Sequence, residues 1–374
     1  MAPLAWRNLF HDRVRLGVTL TGIVFSVVLA AIQLGLFLGF TTATADVIDH
    51  SGADLWIVSA GATHLEGVTA FSEQQAYRAL GTPGVARVEK RVVQFSQWKR
   101  ADGAEEGVLL AGFEPAGVLG RPWNVVAGDV RDLEHADTVF IDELYASKLG
   151  VTHLGQVAEI RGYRARVVGF TRGIRTFTTA PPVFTSFKNA QNYFGLREDQ
   201  VLALLVGVTP GADVEAVRGA LQARLRDVDV HTTAEWSQRQ QRYWMFGTGA
   251  GITVLIAAAL GLIVGVVVVA QTIYAATVDH IREFGTLKAM GATNGFIYGV
   301  ILVQALTSGV IGFAAGIGIA LAVAAGSQQG TTAILAPPWL VALLFVLTLG
   351  MCALASIVSI NKVTRLDPAM VFKG

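Results

Sequence analysis

The sequence predicts an α-helical membrane protein with four transmembrane helices and an α+β extracytoplasmic domain inserted between helices 1 and 2. Of the 374 residues, 52% are hydrophobic and only 15% are charged, whereas about a quarter of an average soluble domain is charged. Three long stretches, 16–45, 243–278 and 289–361, contain no Asp, Glu, Lys or Arg. A polar segment of about 200 residues separates the first two stretches and is large enough to form its own core.

Four apolar segments are long enough to be membrane spans, because a bilayer core of about 30 Å requires roughly 20 helical residues. They cover residues 16–41, 243–276, 293–326 and 339–360. The first is too long for a cleaved signal peptide and is expected to be a retained anchor. The second and third exceed the bilayer thickness, so we expect them to tilt or to project beyond it as a stalk.

Basic residues that flank the spans predict the orientation, because short loops rich in Lys and Arg stay in the cytoplasm. They lie before helix 1, between helices 2 and 3, and after helix 4: Arg7, Arg13, Arg15, Arg282, Lys288, Lys362, Arg365 and Lys373. The short loop 327–338 has no charge. We therefore expect a multi-pass protein of the cytoplasmic (inner) membrane with both termini cytoplasmic and the large domain extracytoplasmic.

The two ends of the chain fit this orientation. Residues 1–15 place apolar side chains on one helical face and charged ones on the other, which predicts a cytoplasmic interfacial helix on the membrane lipid. A plain juxtamembrane helix fits the same pattern. Residues 361–374 are expected to form a cytoplasmic tail.

The inserted segment, residues 42–242, reads as α+β because β-rich runs alternate with helical periodicity. Predicted strands cover 54–58, 85–93, 107–111, 138–141, 157–170 and 201–208. Predicted helices cover 72–80, 142–149 and 212–225.

The sequence gives only weak signals for a catalytic, metal-binding or contact site in this domain. Its histidines (His50, His64, His135, His153 and His231) are scattered, so the spacing predicts no metal site. The acidic residues Asp102, Glu105 and Glu106 flank Gly103 and predict a solvated hairpin tip. Residues 171–182 form either a structural loop or a contact for a partner or substrate. The single cysteine, Cys352, excludes a disulfide framework.

The cytoplasmic loop 277–292 is the most informative stretch. Ile281, Phe284, Leu287 and Lys288 recur every three to four residues, which predicts a short helix, apolar on one side, that fits a groove on a cytoplasmic protein. An ordinary solvated connection is the alternative. Gly285 and Gly291 permit close approach or a turn.

Residues 283–292, Glu-Phe-Gly-Thr-Leu-Lys-Ala-Met-Gly-Ala, resemble the signature of the FtsX/MacB-like permeases, the type VII ABC transporter superfamily. The resemblance covers nearly the whole chain and includes 4–9, 53–58, 168–170 and 366–369. Helix 1, with Gln33-Leu-Gly35, is similar to the DevC-type branch. Helix 3 departs from the pattern, because Gln304 stands where many relatives have an acidic residue.

The resemblance implies that loop 277–292 is a coupling helix seated on an ABC ATPase. The coupling residues would be Arg282, Glu283, Phe284, Gly285, Leu287, Lys288 and Gly291. It further implies two ATPase copies and a second permease copy, as a homodimer or with a related permease. A periplasmic adaptor and an outer-membrane channel would join in a two-membrane organism.

The sequence contains no motif for binding a nucleotide. It has no G-x-x-x-x-G-K-[ST] loop and no Gly-Lys dipeptide. We therefore expect no enzyme activity, no cofactor and no metal in this chain, with ATP and Mg bound by the partner ATPase. The near-neutral net charge of +1 gives no indication of nucleic acid binding.

Small and polar residues mark the expected helix contacts. Glycines four residues apart let helices approach closely: Gly35/Gly39, Gly261/Gly265 and Gly312/Gly316. Intramembrane Gln33, Gln271 and Gln304 either make interhelical hydrogen bonds or line a polar path. No acidic or basic relay lies in the spans, so an ion-coupled transporter is disfavoured.

These observations predict the permease subunit of an ABC exporter that transmits ATP-driven motion to its extracytoplasmic domain, exporting or extruding a lipid-like or amphiphilic substrate. The alternative is an FtsX-type transmembrane signalling subunit that controls a cell-wall hydrolase. The size of the insert favours the exporter, because the regulator's outer domain is generally smaller.

Overall fold

The computed structural model describes residues 13–279, Thr286, 290–328 and 330–364. The chain divides into two compact units. The membrane unit is drawn from Met1–Leu38, Ile252–Gln328 and Ala333–Gly374, and the outer domain from Gly39–Gly251 and Gln329–Thr332. Helix and sheet therefore segregate as expected, with a mixed α/β domain between the first two long helices.

The helices of the described residues are α1 (Arg13–Asp49), α2 (Gln74–Leu80), α3 (Phe187–Phe194), α4 (Val214–Arg224), α5 (Thr233–Arg242), α6 (Ala250–Asp279), α7 (Asn294–Ser327) and α8 (Pro338–Thr364). Segments of four of them are long and apolar enough to cross a membrane: Leu16–Asp49, Ala250–Thr272, Asn294–Ser327 and Pro338–Ile357.

Two helix ends differ most from the sequence expectation. Helix α1 continues eight residues beyond the expected end at residue 41, because Ala45 and Ile48 are fully buried in the outer domain. Helix α6 begins only at Ala250, although the second span was expected from residue 243. A π-helical turn, Tyr243–Gly247, precedes it, and Gly249 adopts φ +79°, which a continuous right-handed helix cannot contain.

The strands of the outer domain are β1 (Leu55–Ser59), β2 (Phe71–Ser72), β3 (Val85–Lys99), β4 (Glu105–Phe113), β5 (Val125–Ala127), β6 (Thr138–Asp142), β7 (Val157–Ile160), β8 (Tyr163–Thr171), β9 (Pro182–Ser186), β10 (Gln200–Val201), β11 (Ala203–Val208) and β12 (Val228–Thr232). Nine of them lie in the order β12-β1-β11-β3-β4-β9-β6-β8-β5, and β7 pairs with β3 and β8. Strands β2 and β10 form a separate two-stranded ladder.

The predicted hairpin at the acidic cluster is present. Strand β3 pairs antiparallel with β4 from Val92↔Gly112 to Lys99↔Glu105. Asp102 lies in the turn, and Gly103 has φ +86°, a conformation that favours glycine.

The predicted helix 142–149 is wrong. Only a 3-10 turn, Glu143–Tyr145, forms after β6, and Gly150 with φ +67° closes the segment. The carboxylate of Asp142 accepts a hydrogen bond from the Leu144 amide, which starts this single turn. The predicted strand 157–170 is likewise two strands, β7 and β8, joined by Arg161 and Gly162, which both have positive φ.

The core of the outer domain is built mainly from strand residues, with helix residues such as Ile48, Ala190 and Leu221 packed against them. Trp56, Trp98 and Trp236 are fully buried. All five residues of β1, β6 and β9 are buried, as expected for central strands covered on both faces.

Candidate functional site

Helix α1 contacts α6 in the membrane unit at glycines predicted from the sequence. The hydroxyl of Ser26 donates a 2.8 Å hydrogen bond to the carbonyl of Gly261. A Cβ at Gly265 would clash with Ser26 and with Met351 Sδ, and a Cβ at Gly261 would lie 2.7 Å from Leu29. Only glycine allows this approach of the two helices.

Helix α7 approaches α1 in the same way. A Cβ at Gly312 would lie 2.6 Å from Ile23, and one at Gly316 would lie 2.9 Å from Val27. By contrast, Gly318 on the same helix has open space around it.

The glycines near the outer end of α1 are also buried. The carbonyl of Gly35 accepts a 3.1 Å bond from the Leu335 amide, and a Cβ on Gly35 would lie 2.6 Å from Ile334. Gly35 therefore contacts the segment that precedes α8. Gly39 is buried as well, but it belongs to the outer domain.

The intramembrane glutamines lie on three different helices. Gln33 and Gln304 are half-buried on α1 and α7, and Gln271 on α6 is exposed. The roles considered for them remain predictions.

Most of the predicted coupling residues lie outside the described residues: Arg282, Glu283, Phe284, Gly285, Leu287 and Lys288. The interfacial helix expected over 1–15 lies almost entirely outside them too. Gly291 is described and has φ +96°. It precedes Thr293, whose hydroxyl accepts a bond from the Phe296 amide and caps α7. The coupling role stays a prediction.

The end of α1 and the start of α5 are joined inside the outer domain. The hydroxyl of Thr233, the first residue of α5, donates a 2.6 Å bond to the carbonyl of Ala53, and its amide donates to the carbonyl of Asp54. The strands that adjoin these helices, β1 and β12, pair antiparallel from Leu55↔Thr232 to Ser59↔Val228. The two connections to the membrane helices therefore meet at one edge of the sheet.

A second contact holds the π-helical turn against the domain. The carboxylate of Glu66 accepts bonds from Gln240 Nε2 (3.0 Å) and from Trp244 Nε1 (3.2 Å). Gln240 Oε1 accepts a 2.7 Å bond from the Leu65 amide. Burial raises the pKa of Glu66 from its usual 4.5, although the bond from Gln240 opposes that shift. This network fixes the segment that leads directly into α6.

Aromatic rings surround Trp244. Phe177 lies 4.2 Å from it between ring centroids, and Phe95 lies 6.4 Å away, edge-on. His64 stacks on Tyr243 at 3.7 Å, and burial lowers the pKa of this imidazole. Sequence reasoning did not group these residues, because they are spread over 180 positions of the chain.

The loop 171–182 is held from both sides. Asp142, fully buried, accepts bonds from Thr171 Oγ1 (2.9 Å) and from the Ile174 amide (2.9 Å). Arg175 Nε donates a 3.0 Å bond to the carbonyl of Gly330 in the short loop between α7 and α8.

No metal-binding group is found in the described part of the chain. Its His, Cys, Asp and Glu residues form no group of three or more that could hold a metal ion. His231 packs in parallel on Trp236 at 5.3 Å between ring centroids, and His50 on Trp123 at 4.3 Å.

Two family models match the chain. The MacB-like periplasmic core domain matches residues 16–224, and the FtsX-like permease C-terminal model matches residues 255–368. An uncharacterized ABC transporter permease of Mycobacterium tuberculosis is 24% identical over 381 residues, covering 99% of both chains. One of Mycobacterium bovis is 22% identical, covering 100% of this chain and 98% of the relative.

Two solved structures resemble the outer region. The periplasmic region of MacB from Actinobacillus actinomycetemcomitans has a TM-score of 0.40 at 11% identity, covering 50% of this chain and 93% of that one. The extracellular domain of the noncanonic ABC-type transporter YknZ from Gram-positive bacteria has a TM-score of 0.36 at 14% identity, covering 48% and 98%. Since the periplasmic core model alone matches more than half of the residues, the chain belongs to the FtsX/MacB-like family of ABC transporter permeases.

Proposed function

We propose that this ABC transporter permease carries ATP-driven motion from a separate ATPase to its outer domain and thereby exports or extrudes a lipid-like or amphiphilic substrate. The spans hold no acidic or basic relay, so the energy comes from the ATPase that an ABC permease works with. ATP and Mg are bound by that partner.

The observation that carries the proposal is the joined pair of connections inside the outer domain. Helix α1 is continuous from Arg13 to Asp49, and its last turns are buried in the domain core. The chain leading to α6 starts at Thr233, which is bonded to Ala53 just after α1. A displacement of either helix is therefore transmitted to the same strands, β1 and β12.

The assembly that we propose contains two permease copies, identical or related, and two ATPase subunits. The loop 277–292 would form the coupling helix on the cytoplasmic side. Both termini would be cytoplasmic in the inner membrane, and an adaptor with an outer-membrane channel would complete the path in a two-membrane organism.

The first test is ATPase stimulation in membranes. The permease is expected to co-purify with an ABC ATPase and to raise its activity. Glu283→Ala and Gly285→Trp should each lower that stimulation several-fold, because both change the surface offered to the ATPase. Unchanged stimulation in both variants would refute the coupling role.

Matched controls come from the outer domain. Glu105→Ala removes an exposed glutamate from β4, and Gly219→Trp adds a ring where a Cβ meets nothing within 4 Å. Both should leave stimulation unchanged. ATP-dependent movement of a labelled amphiphile in proteoliposomes then separates export from the FtsX-type alternative, in which the ATPase cycles without substrate movement.

A further inference from the structure

The large sheet of the outer domain ends at two edge strands that differ in length. Among the described strands, β12 pairs only with β1, and it has five residues. Strand β5 at the opposite edge has three residues. The open side of an edge strand carries backbone N–H and C=O groups that can pair with a strand of another molecule, and a longer edge offers more of them. Strand β12 is therefore the edge at greater risk of unwanted pairing.

The carboxamide of Gln222 on α4 bonds to the open side of β12. Its Nε2 donates a 3.0 Å hydrogen bond to the carbonyl of Val228, and its Oε1 accepts a 2.9 Å bond from the amide of Val230. A residue in a parallel neighbouring strand makes the same two bonds, to the carbonyl before and to the amide after the residue that it faces. Gln222 therefore takes the bonding position of an additional strand opposite Asp229.

A second side chain occupies the next open donor of β12. Thr232 lies two residues beyond Val230, so the backbone groups of both point to the same side of the strand. The amide of Thr232 donates a 3.3 Å bond to Oε2 of Glu235. Arg218 Nη1 on α4 donates to both carboxylate oxygens of Glu235, at 3.0 and 2.9 Å. Helix α4 is thus attached to this edge at two points, directly through Gln222 and indirectly through Arg218.

Helix α4 is held on the domain by a different face from the one that carries Gln222. Val217 and Leu221 are buried in the core of the outer domain, whereas Gln222 is exposed. Replacing Gln222 by alanine would therefore remove the two bonds to β12 and retain the packing of α4. Such a substitution separates the effect of the open edge from the stability of the core.

We propose that α4 guards the β12 edge against strand addition by a second copy of this chain, with Gln222 as the principal guard residue. Every copy carries the same edge, so two copies could pair edge to edge and extend the sheet across both. While Gln222 is in place, the carbonyl of Val228 and the amide of Val230 are already bonded, and an incoming strand gains little from them. The proposal concerns the outer domain alone and depends neither on the ATPase nor on export.

Light scattering of the full chain in detergent, during size-exclusion chromatography at increasing protein concentration, tests this guard. Gln222→Ala removes the carboxamide from the edge. Gln238→Ala removes another exposed glutamine, on α5, and is the control. A double variant, Gln222→Ala with Val230→Pro, also removes the open-side amide. Proline is tolerated in an edge strand where its nitrogen faces away from the neighbouring strand.

The guard predicts that the mass of Gln222→Ala rises with concentration to double that of the native protein or more, while Gln238→Ala keeps the native mass. The double variant should return to the native mass, because an added strand then lacks its donor. A native mass for Gln222→Ala at every concentration would overturn the proposal. A rise that persists in the double variant would overturn it too, since the association would then use another surface.

A third variant covers the case in which Val230→Pro prevents folding. Gln222→Lys loses the acceptor for the Val230 amide as Gln222→Ala does, but it leaves a positive charge at the edge. Charged side chains, lysine above all, block pairing at edge strands. We therefore expect Gln222→Lys to keep the native mass, and association as strong as that of Gln222→Ala would contradict pairing through β12.

Discussion

The outer domain and the membrane unit bury their polar groups and pack their helices by different means. In the outer domain, buried carboxylates such as Glu89 and Asp142 accept several backbone bonds; Glu89 accepts from the amides of Val118 and Leu119, each at 2.9 Å. In the membrane unit, close contacts occur at glycines, and the buried hydroxyl of Ser26 bonds to the carbonyl of Gly261 between α1 and α6.

The difference arises because the outer domain is surrounded by water and the membrane unit by lipid. In water, a buried carboxylate that meets its donors fixes a loop, and its removal leaves those donors unpaired. In lipid, apolar side chains gain little from leaving the solvent, so shape decides whether helices associate. We therefore expect the loss of one hydrogen-bond partner to destabilise the outer domain most, and added side-chain volume to destabilise the membrane unit most.

The largest expected effect is that of Asp142→Ala in the outer domain. The substitution leaves the Thr171 hydroxyl and the amides of Leu144, Gly173 and Ile174 without their acceptor. We expect the free energy of unfolding to fall by about 3–5 kcal/mol, since each buried orphan costs about 1–3 kcal/mol. Denaturant unfolding of the full chain, followed by tryptophan fluorescence, measures this loss.

The control for that substitution is Asp102→Ala at the exposed hairpin tip, where Asp102 pairs with Arg100. A surface change of this kind is expected to stay within about 0.5 kcal/mol. Equal losses of unfolding free energy in the two variants would contradict the prediction that the buried carboxylate of Asp142 stabilises the fold more than the exposed one of Asp102.

The next effect in size is that of added volume between membrane helices. Gly265→Leu forces a side chain into Ser26 and Met351, and overpacking of this kind costs about 1–3 kcal/mol. Gly318→Leu puts the same side chain where a Cβ meets nothing within 4 Å. The apparent melting temperature in detergent should fall for Gly265→Leu and stay near the native value for Gly318→Leu. Similar melting temperatures for both variants would contradict the prediction that close helix contact at Gly265 stabilises the membrane unit.

The smallest effect concerns the pH dependence of the Glu66 network. Burial raises the folded pKa of Glu66 above its unfolded value of 4.5. The folded protein therefore binds the Glu66 proton more tightly than the unfolded protein does. The stability gained in this way is present below the unfolded pKa and is lost as the pH rises through the folded pKa. Glu66→Gln keeps an acceptor for Trp244 but does not titrate.

The measurement is the difference in melting temperature between a pH near the unfolded pKa and neutral pH. We expect the melting temperature to fall less with rising pH in Glu66→Gln than in the native protein. His64 has a lowered pKa and acts in the opposite direction, with stability lost as the pH falls, but it is present in both proteins. An unchanged or steeper fall in the variant would contradict the assignment to Glu66.

Local patterns predicted much of this fold. Hydropathy predicts the four apolar helices because each one contains a long stretch without Asp, Glu, Lys or Arg, and alternation around Gly103 predicts the β3–β4 hairpin. Strand β12 was missed although Val228 and Val230 alternate with polar residues, a signal that was available. Strand β9 gave little signal, because Pro182 disfavours an interior strand and is tolerated here only as its first residue.

The cluster around Trp244 in the outer domain could not be predicted in the same way. Glu66, Phe177 and Trp244 meet only through the tertiary fold, and no local periodicity connects them. The helix expected over 142–149 failed for a related reason, since Asp142 uses its carboxylate for the distant residues Thr171 and Ile174.

The position of the segment around Phe284 tests the central claim most directly. A single cysteine is introduced by Phe284→Cys in a Cys352→Ala background, and a membrane-impermeant maleimide is applied to intact cells or to inside-out vesicles. The coupling role predicts labelling only in inside-out vesicles and protection from labelling when the ATPase is bound. Labelling from the cell exterior, or no change when the ATPase is added, would contradict it.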